Sequence, residues 1–457
     1  MLSEIFQPFV KESPISVMVG GLLARIFSAD QIDHLFEANA QRQHTKDLLF
    51  STVFDLMSKV VSGIRPSIHA AYQATSEEIA VSITSVYNKL NATETEVSAA
   101  LVRYSAAQLS TVIEELDGSL PPLLPGFHTK ILDGNCIEAS EHRIEALRYT
   151  DAGALPGKSL VVYDPSLKLA LDVFPCEDGY TQERALLDPV LASVAANDLW
   201  MGDRNFCTRK FLLGIVEARG FLLIREHKKL AWQPVNSLVK VGQCDSGVVY
   251  EQRISIEDNQ GERLSLRRVV LVLNEPTRDG EERIVLLTNV SNESASAAVL
   301  ADLYRNRWLI EGAFQELAEH LSSEINTLGY PKAALFGFCV ALVAANVLSA
   351  IKAALRSVHG PLEQEVSGYY IADEISGVYR GMMIAIPPRE WEVFGALSKL
   401  ELATLLRDLA GKVRLSAFKK HRRGPKKKPP RRRRKKTEPH VSTARLLAQQ
   451  RLQKKTP

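Results

Sequence analysis

The chain is 457 residues long, more than one hydrophobic core usually supports, so we expect two or three domains. Hydrophobic residues make up 46% of it and charged residues 24%, which excludes a fibrous or largely disordered protein. The net charge of +3 hides an asymmetry: 13 Lys or Arg residues and no acidic residue lie between Lys419 and Lys436, so the remainder carries a net charge of −10. Such a block attracts polyphosphate and is expected to be disordered when free, although a solubilising tail without a specific role has the same composition.

Two features bear on the cellular compartment. Five cysteines are scattered along the chain without a C-x-x-C pair or a histidine at zinc-ligand spacing, which is typical of a reducing cytosol. The apolar run at residues 333–350 is nearly long enough to cross a membrane. It is rich in Ala and stands alone, so we interpret it as a helix buried in a folded domain. We therefore expect a cytoplasmic protein with no membrane partner.

The first part of the chain has a helical pattern. Apolar positions recur at 3.6-residue spacing between residues 28 and 116, which predicts a bundle of short helices. Small helical bundles are more often structural or protein-binding modules than DNA readers, so this pattern leaves their role open. The segment DGSLPPLLPG at residues 117–126 is rich in Pro and Gly and is the best boundary in the sequence. It predicts a first domain over residues 1–118.

After this boundary, short apolar runs alternate with helical ones as far as residue 224, which is typical of an α/β sheet. Three strands joined by turn-rich loops are then predicted between residues 247 and 288, so an antiparallel β insertion at about 228–290 interrupts an α/β domain of residues 127–355. A long helix is predicted from about residue 294 to 322. Further helices are expected at residues 356–416, and the basic, disordered tail at residues 417–457.

Two aspartates lie where strands are predicted to end. Asp133 and Asp203 each follow an apolar run and precede turn residues. In an open α/β sheet, acidic residues at the carboxyl ends of strands face the crevice in which ligands bind. An Asp in this position can also simply cap a turn, and for either residue alone that reading is favoured. Glu138, Glu141 and Asp198 are alternative carboxylates nearby, and only the turn context ranks them lower.

The predicted long helix carries Tyr304, Arg307 and Glu311 within an arc of roughly 60°, beside the apolar stripe that packs on the core. A solvated face with an i, i+4 ion pair has the same pattern. Together with the two aspartates, however, Glu311 completes a set of three carboxylates. Such a set can hold two divalent ions, about 3.5 to 4 Å apart, that cleave a phosphodiester. A neighbouring arginine can clamp a phosphate bidentately.

The stretches ILDGN and GDRNF around the two aspartates, and the Y-x2-R-x3-E spacing that ends at Glu311, resemble the three motifs of bacterial insertion-sequence DDE transposases, in the large group known as the fourth insertion-sequence family. The resemblance covers about residues 127–355. It implies an RNase H-like fold with a mixed sheet. It also implies that Asp133, Asp203 and Glu311 are the catalytic residues and bind two Mg²⁺ ions, for which Mn²⁺ can substitute.

The resemblance further implies an activity and partners. A metal-activated water would cut the element end, and the freed 3′-hydroxyl would later join target DNA. The partners would be double-stranded DNA with terminal inverted repeats, target DNA, and a second copy of the chain in a synaptic complex at the bacterial nucleoid. The N-terminal helices would help to bind the terminal repeats. Tyr304 and Arg307 would contact DNA phosphate, and Arg204 and Asn205 beside the second motif are further candidate DNA contacts.

One position departs from the family pattern. Ala318 stands where the pattern has a lysine, seven residues after the glutamate. Arg267, Arg268 or the basic tail are candidates to replace the lost phosphate contact. The departure leaves two alternatives open: a non-catalytic or repurposed DNA-binding protein, and a metal-dependent nuclease that cuts without joining. Trp308, within the third motif, is expected to pack against the sheet.

Overall fold

A mixed β-sheet with helices on both faces organises the chain in a computed structural model that describes residues 2–43, 47–139, 144, 153–257, 261, 263–277, 280–421 and 440–453. Within these residues the strands are β1 (His128–Ala139), β2 (Ala154–Asp164), β3 (Leu169–Cys176), β4 (Asp198–Gly202), β5 (Phe221–Arg225), β6 (Gln233–Pro234), β7 (Val239–Cys244), β8 (Gly247–Glu257), β9 (Arg263–Leu273), β10 (Arg283–Thr288) and β11 (Val441–Ser442).

The helices of the described residues are α1 (Gln7–Glu12), α2 (Pro14–Ile26), α3 (Ala29–Asn39), α4 (Phe50–Val61), α5 (Ile68–Ala74), α6 (Ile83–Ala92), α7 (Thr95–Glu115), α8 (Leu187–Leu191), α9 (Arg209–Glu217), α10 (Ala297–Leu303), α11 (Leu309–His320), α12 (Pro331–His359), α13 (Gly368–Ala385), α14 (Pro388–Ala396), α15 (Lys399–Gly411) and α16 (Thr443–Gln453). Short 3-10 helices add to these, and two of them, at residues 183–186 and 304–308, lie next to the candidate site.

The sheet begins with the strand order β3-β2-β1-β4-β5. Strands β1, β4 and β5 are parallel, whereas β2 is antiparallel to both β1 and β3. The sheet continues through β10, β9 and β8, all antiparallel, so the strands predicted as an insertion extend the same sheet. Every residue of β4 is buried, and its near-continuous apolar sequence fits a strand covered on both faces.

Two hydrophobic clusters cover the two faces of the sheet. On one face, α8 and α9 pack around Trp200 of β4. On the other face, the larger core includes Met201 of β4, the N-terminal helices, α12 and the C-terminal helices α13 to α15. Neighbouring residues of a strand point to opposite faces, which places Trp200 and Met201 in different cores. The candidate site lies on the face with the larger core.

Helix α12 confirms the interpretation of residues 333–350 as a buried helix. Of the described segments, Pro331–Glu365 is long and apolar enough to cross a membrane, and α2 and α3 would also be if they were counted as one bent span. In Pro331–Glu365, however, 78% of the apolar window is buried in the fold. Asn346 ties α12 to the sheet: its Nδ2 donates to the Ala170 carbonyl at 3.0 Å and its Oδ1 accepts from the Ala170 amide at 2.8 Å. The helix is therefore packed on β3.

The boundary predicted after residue 355 falls inside α12, which continues to His359. It ends where Gly360 adopts a φ of 58°, a left-handed conformation that favours glycine, and Pro361 follows. The helices predicted as a first domain share one core with α12 to α15, and α2 packs against α13, α14 and α15. The N-terminal and C-terminal helices therefore form one helical body.

Within the tail predicted to be disordered over residues 417–457, residues 441–453 form β11 and α16. There β11 pairs in parallel with β2, Leu446 and Leu447 pack on the cluster of Ile144 and Ala154, and Arg445 forms a 2.7 Å ion pair with Asp178. These contacts join residues that are far apart in the sequence. The composition of the tail, dominated by the preceding basic residues, therefore did not predict them. Residues 422–439, with most of the basic block, lie outside the described residues.

Candidate active site

The sheet places Asp133 and Asp203 side by side. In the parallel register of β1 and β4, Leu132 pairs with Gly202, and each aspartate is the next residue of its chain. Ile131 and Met201, two residues earlier, both face the larger core, so the alternation of side chains points both carboxylates to that face. Neighbouring strands lie about 4.8 Å apart. The two carboxylates are therefore close neighbours.

The two strands do not both end at the aspartates, as the sequence had indicated. The chain leaves β4 at Asp203, whose Oδ1 accepts from the Asn205 amide at 2.6 Å in a tight turn. Strand β1 instead continues to Ala139, paired with β2. Asp133 still lies at an open edge because β4 has ended beside it. The crevice is formed by the difference in length between the two strands.

Arg307 links the third carboxylate to the first. Its Nη1 donates to Asp133 Oδ2 at 3.0 Å, and its Nη2 donates to Glu311 Oε1 at 2.7 Å. The Arg307 side chain is 9% exposed, whereas that of Glu311 is 38% exposed. Because the guanidinium is planar and both hydrogen bonds are charge-assisted, Arg307 fixes the position of the Glu311 carboxylate relative to that of Asp133. The structure thus brings together the three predicted acids.

The helix that carries this motif is not continuous, which corrects the prediction for residues 294–322. After α10 the chain forms a 3-10 helix at Tyr304–Trp308 and only then enters α11. In a 3-10 helix, side chains at i and i+3 eclipse, so Tyr304 and Arg307 still share one face. Tyr304 is buried, and its hydroxyl donates to the Gly202 carbonyl at 3.2 Å. This bond fastens the motif to the end of β4.

The structure gives intramolecular partners to residues predicted to touch DNA phosphate. The donors of Tyr304 and Arg307 are engaged with Gly202, Asp133 and Glu311. Burial raises the pKa of the Tyr304 phenol above its usual range, so it stays a neutral donor. Contact of either residue with DNA stays a prediction. In the structure, Tyr304 and Arg307 instead link the segments that carry the three acids.

Trp308 does not pack against the sheet as predicted. Its side chain is 62% exposed, and the Arg307 guanidinium lies 4.9 Å from its ring centroid. The 3-10 turn rotates Trp308 away from the core, because Tyr304 and Arg307 occupy the inward face. An exposed aromatic ring therefore borders the carboxylates.

The electrostatics of the cluster are dominated by its negative charge. Burial raises the pKa of Asp133 to about 6; Arg307 and the Gly134 amide oppose that shift, and the charges of Asp203 and Glu311 add to it. Three carboxylates face one guanidinium. The site therefore carries uncompensated negative charge at neutral pH.

A fourth carboxylate, Glu183, was missed by the sequence analysis. Its Oε2 accepts from Asn205 Nδ2 at 3.2 Å, and a Cβ on Gly134 would overlap its Oε1. Gly134 points to the face opposite Asp133, so Glu183 supports both aspartate-bearing segments from the other side of the sheet. Glu183 begins a 3-10 helix. Nothing in its local sequence separates it from a solvent-exposed glutamate.

Arg204 and Asn205, the remaining predicted DNA contacts, are both exposed at the end of β4. Arg204 Nη1 donates to Glu281 Oε1 at 3.0 Å, and Arg225 pairs with the same carboxylate. Glu281 precedes β10, so this pair links the rim of the site to the antiparallel strands. Asn205 is held by Glu183 as described above. The contact of Arg204 and Asn205 with DNA stays a prediction.

Two of the candidates to replace the lysine missing at Ala318, Arg267 and Arg268, are engaged inside the fold, and most of the third, the basic tail, lies outside the described residues. Arg267 is buried and donates to Glu251 at 2.6 Å and to the carbonyls of Val290 and Ala295. Arg268 donates to Glu226 at 2.9 Å. Both guanidinium groups stabilise the interior of the antiparallel strands. Neither replaces the phosphate contact, and the side chain of Ala318 itself is exposed.

Of the three alternative carboxylates, the structure describes the side chain of Asp198. Asp198 is at the amino end of β4, far from Asp203, and forms a 2.7 Å ion pair with Lys130. It has a structural role there. The side chain of Glu138 and all of Glu141 lie outside the described residues.

The donor chemistry of the cluster fits a hard divalent cation. Asp203 Oδ2 and Glu311 Oε2 have no hydrogen-bond partner among the described residues, and carboxylate oxygens are what Mg²⁺ prefers. No group of three His, Cys, Asp or Glu side chains in those residues is already arranged as a metal site. Arg307 explains this, because its guanidinium occupies the space between Asp133 and Glu311.

The order of parallel and antiparallel strands and the acidic edge fit an RNase H-like catalytic domain. Residues 129–346 match the family described as transposase DDE domain. The matched segment runs from β1 into α12 and includes Asp133, Asp203 and Glu311. Over this segment, slightly less than half of the 457 residues, the chain is similar to transposase DDE domains. No curated protein matches the chain.

Proposed function

We propose that this chain is an insertion-sequence transposase of the fourth insertion-sequence family, which cuts element ends and joins them to target DNA in the bacterial cytoplasm. The observation that carries the proposal is the adjacency of Asp133 and Asp203 on β1 and β4, with Glu311 held to the same cluster by Arg307. All three acids lie in the segment that matches the transposase domain.

Asp133, Asp203 and Glu311 would hold two Mg²⁺ or Mn²⁺ ions. When bound, these ions supply Lewis-acid stabilisation of the phosphodiester and lower the pKa of water. The protein's own residues supply position. Tyr304 fixes the end of β4 through the Gly202 carbonyl, and Glu183 fixes the Asp203 turn through Asn205.

Arg307 has two successive roles in this proposal. Without cations it offsets part of the charge of Asp133 and Glu311. Where Asp133 and Glu311 hold metal ions, they would share the same oxygens with Arg307, and both ion pairs would weaken. The Arg307 guanidinium would then be able to hold a DNA phosphate bidentately. Trp308 stacks beside it and keeps its orientation.

The DNA partners follow from the same assignment. We propose double-stranded DNA with terminal inverted repeats and target DNA as substrates, and a homodimer in the synaptic complex. The helices of residues 1–118, together with the basic block near Lys419, would add contacts to the duplex. Lysine and arginine residues bind DNA phosphate by releasing counterions, so salt should weaken binding steeply.

The test uses a plasmid that carries the DNA from both flanks of the gene. In Mg²⁺ the wild-type protein should cut at the element ends and join them to a second plasmid, whereas Asp203→Asn should bind the same DNA without cutting it. Asp188→Asn is the matched control, because Asp188 is exposed and pairs only with Lys210 in the described residues. Cleavage by Asp203→Asn would overturn the proposal. Cutting without joining would favour the nuclease alternative, and binding without cutting by the wild type would favour the repurposed one.

A further inference from the structure

The segment of residues 441–453, which comprises β11 and α16, docks on the loop between β3 and the 3-10 helix at residues 183–186. Ser442 Oγ donates to Asp178 Oδ1 at 2.6 Å. Arg445 Nε donates to the other oxygen of the same carboxylate, Oδ2, at 2.7 Å. The C-terminal segment therefore engages both oxygens of one loop carboxylate.

Asp178 also organises the loop that contains it. Its Oδ1 accepts from the Tyr180 amide and its carbonyl accepts from the Thr181 amide, both at 3.0 Å. The Arg445 guanidinium lies 5.4 Å from the centroid of the Tyr180 ring. Burial acts to raise the pKa of the Asp178 carboxyl, but the hydrogen bonds that it accepts and the charge of Arg445 outweigh burial and hold that pKa below its usual range. Asp178 is therefore ionised at neutral pH and attracts Arg445.

Close packing against β2 restricts the same loop. A Cβ on Gly179 would lie 2.8 Å from Leu155 Cβ, closer than packed carbon atoms approach. Leu155 belongs to β2 and is the residue that pairs with Ser442 of β11. The loop thus lies on β2 at the point where the C-terminal strand joins that strand.

The loop leads directly to the support of the carboxylate site. Glu183 begins the 3-10 helix only five residues after Asp178. Its Oε2 accepts from Asn205 Nδ2 at 3.2 Å, and its side chain occupies the space beside Gly134. Asn205 and Gly134 belong to the two segments that carry the aspartates. A shift of the loop at Asp178 would therefore move Glu183 relative to both segments.

We propose that Arg445 is a positioning residue for the carboxylate site. By pairing with Asp178 it fixes the loop before Glu183, and Glu183 in turn fixes the Asp203 turn through Asn205. Arg445 acts only through Glu183 and contacts no reacting atom. The inference rests on the proposed function, because it concerns support of the same site. It gives the C-terminal segment a role in cleavage.

A double-mutant cycle in the full-length chain tests this coupling. Arg445→Glu places a second carboxylate beside Asp178, so the rate of Mg²⁺-dependent cleavage should fall about three- to tenfold. In the Glu183→Ala background, the same change should alter the rate by less than about twofold, because the support through which it acts is already lost. Arg445→Lys keeps the positive charge and should retain most of the wild-type rate.

Arg451→Glu is the matched control. Arg451 is exposed on the same helix, has no ion pair among the described residues, and gives the same change of charge. Its cleavage rate should equal that of wild type. Binding of element-end DNA in EDTA should be the same for Arg445→Glu and Arg451→Glu, because the coupling acts on cleavage.

Hydrogen exchange in EDTA without DNA separates this inference from the proposed function. Measured by mass spectrometry, exchange in Arg445→Glu should be faster than in wild type in the peptides that contain residues 178–183 and 203–205, because both segments lose support. Arg451→Glu should change neither peptide. If the wild-type protein does not cleave DNA, the proposed function fails, whereas the exchange result still decides the coupling.

Three results would overturn the inference. The first is a loss of cleavage rate in Arg445→Glu that is equally large with and without Glu183, and the second is an unchanged rate in Arg445→Glu. The third is faster exchange at residues 178–183 with none at 203–205. If Arg445→Glu fails to fold, Asp178→Asn takes its place in the cycle, because it keeps an acceptor for Ser442 but removes the charge that pairs with Arg445. The same outcomes then decide.

Discussion

Replacing Asp133 with asparagine should make the metal-free protein more stable at neutral and alkaline pH. The Asp133 carboxyl has its pKa raised from 3.8 to about 6, with burial as the main cause and with the opposing effect of Arg307 already included. Its side chain is 18% exposed, so solvent screens the effect only partly. A shift of this size makes the ionised carboxylate cost ~3 kcal/mol of folding free energy.

The sign of the pH dependence follows from the raised pKa. The folded state binds the proton of Asp133 more tightly than the unfolded state, so its contribution is fully present below pH 3.8 and is lost as the pH rises through about 6. Asp133→Asn has no such proton. The advantage of the variant over wild type should therefore grow from about pH 4 to pH 7 and then level off.

The assay is thermal unfolding of wild type and Asp133→Asn in EDTA between pH 4.5 and 8, with Asp188→Asn as the control. The difference in stability should approach ~3 kcal/mol above pH 7, which corresponds to a few degrees in Tm. Added Mn²⁺ should stabilise wild type more than the variant. A difference that does not change with pH, or equal stabilisation of both proteins by Mn²⁺, would refute the electrostatic account of the site.

Three other changes probe the supports of the site. Glu183→Ala should lower the rate of DNA cleavage about tenfold. Glu183→Gln should lower it much less, because the glutamine side chain still accepts a hydrogen bond from Asn205. Equal cleavage rates for the two variants would show that this hydrogen bond does not support the site. Arg307→Lys keeps the charge but cannot reach Asp133 and Glu311 together, so stability in EDTA should fall by about 1 to 3 kcal/mol, measured by urea unfolding. An unchanged urea midpoint would argue against the bridge. Gly312→Ala should raise stability by about 0.5 to 1 kcal/mol, because a Cβ there meets nothing within 4 Å inside α11. A lower Tm for this variant would mean that α11 must bend at this position.

The sheet was predictable because its strands have local signatures. Short apolar runs such as Leu199–Met201 lie inside β4, and the three strands predicted between residues 247 and 288 appear as β8, β9 and β10. Turn residues after Asp203 and the arc of Tyr304, Arg307 and Glu311 also depend on near neighbours in sequence. These predictions agree with the structure because each feature is determined by residues that are close together in the sequence.

What could not be predicted depends on contacts between distant residues. The 3-10 turn at Tyr304–Trp308 is held by the bond from Tyr304 to the Gly202 carbonyl, about a hundred residues earlier. Glu183 reaches the site through Asn205 and the space left by Gly134. Arg267 on β9 can be buried because Glu251 on the neighbouring strand β8 accepts its hydrogen bond. A single sequence contains no local signal for such pairings.

The central claim is that Asp133, Asp203 and Glu311 bind the divalent ions that act on DNA. Iron(II) with peroxide and ascorbate cuts a polypeptide next to the bound ion, so it maps a metal site without any DNA. The wild-type protein should be cut near residues 133, 203 and 311, Mg²⁺ should suppress the cuts, and Asp203→Asn should lose them while Asp188→Asn keeps them. Cuts that avoid these three positions, or that persist unchanged in Asp203→Asn, would contradict the claim.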